Sequence, residues 1–179
     1  MIKAHKQYDI NLKIDLFILF IIMNTNDWLV EYDKITKIIL EDNLLKKDTL
    51  SELKKIKTEL LNISKVSKFK IEIEEKDVVN ILINICWISL SHFLYEKLQD
   101  YDKTILICRN IFKKKNEDYG NAFLDYNVIG IIVRMCDKIN RINNLISKDI
   151  DIKVIDENID DTYLDLFNYA VLAQCLIKL

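Results

Sequence analysis

Three polar stretches in the second half of the chain carry residue types that bind phosphates and metal ions. The first covers residues 115–121 and reads Lys-Asn-Glu-Asp-Tyr-Gly-Asn. Gly120 is one of only two glycines in the chain, which predicts a helix end or a tight turn that needs a positive φ angle. Such a turn would fix the directions of Asp118 and Tyr119. The alternative is an ordinary helix C-terminus with exposed polar residues.

The second stretch lies on a helix predicted for residues 128–146. Asp137, Lys138 and Arg141 lie three, four and seven residues after Arg134, which places all four on one stripe of a helix. Two arginines and a lysine suit an oligophosphate, because arginine forks grip phosphate oxygens and lysine adds a point charge. The alternative is an exposed stripe of salt bridges.

The third stretch is the last predicted helix, from Thr162 onward. Asp165 and Asn168 stand there among apolar residues, and a buried carboxylate is costly unless it is paired or binds a cation. If the helix begins early enough, Glu157 and Asp161 share one stripe with them, and carboxylates one turn apart can share Mg²⁺. The pattern favours a cation site over the alternative, an ion pair from Asp165 to Arg134 or Arg141.

Long helices must position these residues, because the chain has no proline and only two glycines to interrupt them. Apolar spacing predicts an all-α bundle of about five to six helices. Helices are predicted from Asn26 with Asp27 as cap, over 49–66, over 77–98 with Asp77 as cap, over 104–115, over 128–146 and from Thr162. Residues 68–75 and 149–155 alternate with period two, which predicts either a small two-stranded ribbon or two extended connectors.

Residues 26–179 are predicted to form a single all-α domain, with residues 1–25 as an N-terminal extension. An apolar run within residues 14–22 is too short to cross a membrane, because a spanning helix needs about 20 apolar residues. It can be an extra helix or strand, a leader upstream of a start at Met23, or an export or anchoring segment. No membrane span is therefore predicted.

Composition excludes several classes of function. Half of the residues are hydrophobic, 30% are charged and the net charge is −2, a globular balance without an electrostatic case for nucleic acid as partner. The four cysteines stand singly and the two histidines are far apart in sequence, so a zinc site is not expected. Free thiols in a reducing compartment favour a cytoplasmic location.

Together the three motifs resemble a phage and bacterial family called nucleotide modification associated domain 1. They read Lys-Asn-x-Asp-Tyr-Gly-Asn at 115–121, Arg-x-x-Asp-Lys-x-x-Arg at 134–141 and Asp-Glu-x-Ile-x-Asp-Thr-x-x-Asp-Leu-x-Asn-Tyr-Ala at 156–170. The resemblance covers roughly residues 100–178. It implies an all-α fold, a link to modified deoxynucleotides and a kinship with MazG-like pyrophosphatases, whose helix-borne carboxylates bind Mg²⁺ beside a triphosphate. The ExxE motif of MazG-like enzymes is missing from the predicted helices here.

The resemblance also implies roles for single residues. It assigns catalysis to Asp118, Asp137 and Asp165, and Mg²⁺ binding to Glu157, Asp161 and Asp165. It assigns the phosphates to Arg134, Lys138 and Arg141, and the base or sugar to Tyr119, Asn168 and Tyr169.

The leading hypothesis is a Mg²⁺-dependent protein that binds a (deoxy)nucleoside triphosphate and hydrolyses it to monophosphate and pyrophosphate. A homo-oligomer in the cytoplasm, or the host cytoplasm for a viral protein, is expected by analogy. One alternative is a non-catalytic nucleotide-binding accessory protein of DNA base modification. The other is a plain helical interaction module.

Overall fold

The protein is an all-α bundle in this computed structural model, which describes residues 23–42, 49–68, 75–97, 99–147 and 158–178. These ranges contain six helices and no strand: α1 (Thr25–Asp42), α2 (Thr49–Lys68), α3 (Glu75–Lys97), α4 (Tyr101–Tyr119), α5 (Phe123–Ser147) and α6 (Ile159–Lys178). The predicted fold class and the approximate number of helices are confirmed.

Two predictions fall mainly outside the described residues. Lys68 ends α2 and Glu75 begins α3, so the rest of the predicted ribbon, residues 69–74 and 149–155, lies in ranges that the structure does not describe. The same is true of residues 1–22 of the predicted extension. The boundary between extension and domain stays a prediction.

Helix α6 is the centre of the bundle, because it packs against α1, α3, α4 and α5. Its sequence explains this position. Leu166, Phe167, Ala170, Val171 and Ala173 are all buried, and a helix that is apolar on nearly every side is most stable when other helices surround it. Helix α3 is the second core helix and packs against α6, α2, α4 and α1.

Helix α3 also has the length and composition of a membrane-crossing segment over Lys76–Lys97, where its mean hydropathy reaches 1.6. In the described part of the chain, 61% of this apolar window is buried inside the bundle. Trp87, Ile88 and Leu90 are among its buried side chains. Core helices of water-soluble bundles have this same composition, because their neighbours cover them.

Side-chain caps define where several helices begin. The Asn24 Oδ1 atom accepts from the backbone N–H of Asn26 at 2.8 Å and of Asp27 at 3.2 Å, and Asp27 Oδ2 accepts from the Asn24 N–H at 2.9 Å. Asn24 is thus the cap and Asp27 its reciprocal partner, as in a capping box. Helix α3 begins at Glu75, so Asp77 lies within its first turn and is not its cap.

Helix α5 is broken near its start. Asn127 has φ 56° and ψ −172°, which is not helical, and its Oδ1 accepts from the Val128 N–H at 2.6 Å. The regular part of α5 therefore begins at Val128, where the sequence predicted it. Gly120 has φ 59° at the end of α4, so the predicted helix end with a positive φ is confirmed. The two breaks together turn the chain sharply between α4 and α5.

Polar contacts also join helices away from these breaks. His92 Nε2 lies 2.8 Å from Asp160 Oδ1, and Lys97 Nζ lies 2.9 Å from Asp160 Oδ2. Burial acts to raise the pKa of Asp160, but the hydrogen bonds from His92 and Lys97 outweigh it and lower that pKa. The end of α3 is thereby fastened to the start of α6.

Candidate functional site

A cavity of about 810 Å³ opens between α4 and α5, with α6 as its floor. Helix α4 packs against α1, α3 and α6, whereas α5 packs against α2 and α6. Both helices pack against α6 but not closely against each other, and the cavity is the space left between them. The lining comprises Phe112, Lys115, Asn116, Tyr119, Gly120, Ala122, Phe123, Gly130, Ile131, Val133, Arg134, Lys138, Asp165, Asn168, Tyr169 and Leu172. A cavity of this size accommodates a small organic ligand.

Asp165 lies in this cavity between two lysines from different helices. Lys115 Nζ of α4 donates to Oδ1 at 2.5 Å, and Lys138 Nζ of α5 donates to Oδ2 at 2.7 Å. The side chains of Asp165 and Lys138 are only 15% and 18% exposed. A carboxylate with so little contact with water needs such partners. The sequence suggested Arg134 or Arg141 as its alternative ion-pair partner, whereas the salt bridges observed are to Lys115 and Lys138.

Arg134 lies on the same stripe of α5 as Lys138, one turn closer to the start of the helix, and also lines the cavity. Its side chain is exposed. Within the described ranges, Arg134 has no salt-bridge partner, whereas Lys138 is held by Asp165. Arg134 is therefore the cation of this cavity that is best placed to meet a ligand from solution, and its guanidinium can grip a phosphate with two parallel hydrogen bonds.

Asn168 forms part of the cavity floor and is tied to the core by both ends of its amide. Its Oδ1 accepts from the Tyr32 hydroxyl at 2.7 Å, and its Nδ2 donates to the Cys108 carbonyl oxygen at 3.0 Å. Burial raises the pKa of Tyr32, so this hydroxyl keeps its proton and remains a donor. These contacts join α1, α4 and α6 directly beneath the cavity.

A second buried amide, Asn116, holds the turn at the mouth of the cavity. Its Nδ2 lies 3.2 Å from Thr25 Oγ1 and 3.4 Å from Asn121 Oδ1, and Asn121 Nδ2 donates to the Met23 carbonyl oxygen at 2.8 Å. The turn that carries Gly120 is thus fixed against the start of α1. In the motif at residues 115–121, the sequence predicted site roles for Asp118 and Tyr119. It did not predict that Asn116 is buried.

Six of the residues that the sequence assigned to a site line this cavity: Tyr119, Arg134, Lys138, Asp165, Asn168 and Tyr169. The four others that the structure describes do not line it. Asp118 and Asp137 are exposed, Arg141 is partly buried on α5, and Asp161 is exposed at the start of α6. Glu157 lies outside the described residues.

Lys115 was the main omission from the predicted site. It follows two other lysines, and all three are exposed, so composition did not distinguish it. A signal did exist, however. Lys115 lies one helical turn before Tyr119, which the sequence did assign to the site, so the two share one face of α4.

In this arrangement other groups occupy the two described carboxylates that the sequence predicted as Mg²⁺ ligands, Asp161 and Asp165. Both oxygens of Asp165 accept from lysines, and an ammonium group competes with a cation for the same lone pairs. Asp161 Oδ2 faces the Asn158 N–H, and Asn158 Oδ1 accepts from the Asp161 N–H at 2.8 Å, so Asp161 belongs to a helix cap. No group of three or more metal-ligating residues is found within the described ranges.

Comparison with known proteins gives one match. The family model for nucleotide modification associated domain 1 matches residues 115–179, a little over a third of the chain. The match confirms the resemblance from Lys115 onward and includes every residue lining the cavity except Phe112. No curated protein and no solved structure matches the chain. The relation to MazG-like enzymes stays a prediction.

Proposed function

We propose that this protein binds a nucleotide in the cavity between α4 and α5. The observation that carries the proposal is the position of Lys115, Arg134 and Lys138 around one cavity whose lining comes almost wholly from the matched segment. Three cations in one cleft raise the local concentration of an anion, although the whole chain has a net charge of −2. The matched family is described as associated with nucleotide modification, and the cavity has a volume that accommodates a ligand of this size.

The phosphate end of the nucleotide would lie beside Arg134 and Lys138. Arg134 offers a fork of N–H donors at the solvent side, and Lys138 is partly buried and held in place by Asp165. Hydrogen bonds between charged groups are about twice as strong as neutral ones. A phosphate would therefore gain most of its binding free energy from these two side chains, with Lys115 adding charge from α4.

The remaining lining suits the base and the sugar. Phe112, Phe123, Ile131 and Leu172 form an apolar wall, and Tyr119 and Tyr169 bring aromatic rings with polar ends. Aromatic faces bind nucleobases by stacking, which contributes about 1–3 kcal/mol per base. Tyr119 is 74% exposed, so it can swing over a bound base without loss of core packing.

Hydrolysis of a triphosphate with Mg²⁺ remains a prediction from the resemblance. Its predicted metal ligands are Asp165, held by two lysines, Asp161, part of a helix cap, and Glu157, outside the described residues. The geometry supports binding more strongly than turnover. It thereby favours the second candidate function, a nucleotide-binding accessory protein, since occupied carboxylate oxygens hinder metal-dependent chemistry.

The test is calorimetric titration of the full chain with natural and modified nucleotides. Arg134→Gln should weaken binding at least about tenfold, because it removes a charge-assisted bidentate contact. Lys103→Gln is the matched control. Lys103 is exposed near the start of α4, whereas the cavity is lined by the end of that helix, and Lys103 does not line it. Absence of binding by every nucleotide, or equal binding by Arg134→Gln and wild type, would refute the proposal.

The same samples separate an enzyme from a binding protein. Incubation with triphosphates and Mg²⁺, followed by chromatography of the products, shows whether pyrophosphate is released. Release that is abolished by Asp165→Asn would support the hydrolase. Binding without release would support the accessory protein, and a chain that neither binds nor hydrolyses nucleotides would be left as a helical interaction module.

A further inference from the structure

The charge of the cavity selects among nucleotides by the length of their phosphate chain. Resting on the proposed function, we infer that the ligand is a nucleoside monophosphate and that Asp165 is the residue that excludes di- and triphosphates. Lys115, Arg134 and Lys138 give the described lining three positive charges, and Asp165 removes one. The two positive charges that remain match the charge of a phosphate monoester, about −1.5 to −2 at pH 7.

The geometry allows Asp165 to remain in place when such a phosphate binds. An ammonium group has three N–H donors, so Lys138 can donate one to Asp165 at 2.7 Å and another to a phosphate oxygen. The guanidinium of Arg134 can grip two further oxygens. A single phosphate therefore finds donors without breaking the salt bridge that fixes Lys138.

A longer phosphate chain meets an obstacle in the same cavity. Each further phosphate adds at least one negative charge, and no described side chain of the lining remains to balance it. The Asp165 carboxylate, whose side chain is only 15% exposed, would then repel the added phosphate. The described ranges contain no group of three or more metal-ligating side chains that would hold a metal ion to offset that charge.

The wild-type protein tests this inference without any substitution. We would measure binding of the mono-, di- and triphosphates of the same nucleosides by calorimetry in the presence of a chelator. The monophosphate should bind at least about tenfold more tightly than the triphosphate. A triphosphate that binds as tightly as its monophosphate, with or without added Mg²⁺, would overturn the inference while leaving nucleotide binding intact.

The variant Asp165→Asn tests the role of the residue itself. It keeps the shape of the side chain and raises the net charge of the lining by one, so the preference for monophosphate should fall at least about tenfold. Asp102→Asn removes the same charge from an exposed position in the first turn of α4, and should leave the preference unchanged. An unchanged preference in Asp165→Asn would overturn the inference.

The two proposals fail in different ways. If no nucleotide of any phosphate length binds the wild type, the proposed function itself is wrong. If nucleotides bind in the order of increasing phosphate number, only the inference about monophosphates is wrong. Circular dichroism of Asp165→Asn shows whether the variant is folded, and if it is not, the wild-type series decides the question alone.

Discussion

At the scale of single residues, the buried polar groups beneath the cavity decide its shape. Asn168 is buried and uses both ends of its amide, accepting from Tyr32 and donating to the Cys108 carbonyl. A buried polar group that loses its partner costs the free energy of its desolvation. Asn168 lines the cavity and Tyr32 does not. Tyr32 therefore fixes the orientation of Asn168 from the core side, through the hydrogen bond of its hydroxyl group.

Replacement of Tyr32 by phenylalanine should reveal this role. Tyr32→Phe keeps the ring that stacks on Phe112 at 5.2 Å but leaves Asn168 Oδ1 without its donor. We expect the free energy of unfolding in urea to fall by about 1–3 kcal/mol. Tyr95→Phe is the control, since Tyr95 is 42% exposed, and it should change stability by less than about 0.5 kcal/mol. Equal effects of the two substitutions would contradict this role.

The residue scale is also where the sequence was least complete. Helical spacing placed Arg134 and Lys138 on one stripe, and apolar neighbours indicated that Asp165 is buried and needs a partner. The spacing within one helix carries no information about which other helix faces it. The contact between Asp165 and Lys115 joins residues fifty positions apart, and only the packing of α4 on α6 brings them together.

At the scale of elements, the break in α5 sets the position of the cavity wall. Phe123 and Ala122 precede the break, while Gly130, Val133 and Arg134 follow it, and all of them line the cavity. Spacing predicted Val128 as the first regular residue, because the apolar stripe begins there. The short helical turn before it was not predicted, because a single turn carries too few residues for a period to be recognised.

Asn127 should tolerate glycine much better than alanine. Its φ of 56° with ψ of −172° lies close to a region used almost only by glycine and costs an alanine about 1–3 kcal/mol, and the lost cap costs about another 1 kcal/mol. Glycine adopts this φ freely and is an acceptable cap. We expect Asn127→Ala to melt at least about 2–4 °C below Asn127→Gly. Equal melting temperatures would mean that this backbone conformation is not required.

At the scale of the whole molecule, the shortage of proline and glycine was enough to predict the fold class. Composition does not predict the cavity. It forms because α4 and α5 both pack against α6 but not closely against each other. The matched segment supplies nearly all of the lining, but α1, α3 and most of α4 come from earlier in the chain. Part of the scaffold is therefore drawn from outside the segment that supplies the site.

This division predicts that residues 115–179 do not fold alone. Helix α6 buries its apolar faces against α1 and α3 as well as α5, and a fragment without those partners would expose side chains such as Tyr163, whose ring stacks on His92 of α3. Each large side chain that loses its burial removes about 1.5–3 kcal/mol of stabilisation, and the isolated helices are too weak to compensate. Circular dichroism of the fragment should show no cooperative thermal transition, whereas the full chain should show one. A fragment that melts sharply and binds a nucleotide would mean that α1 and α3 are dispensable for the site.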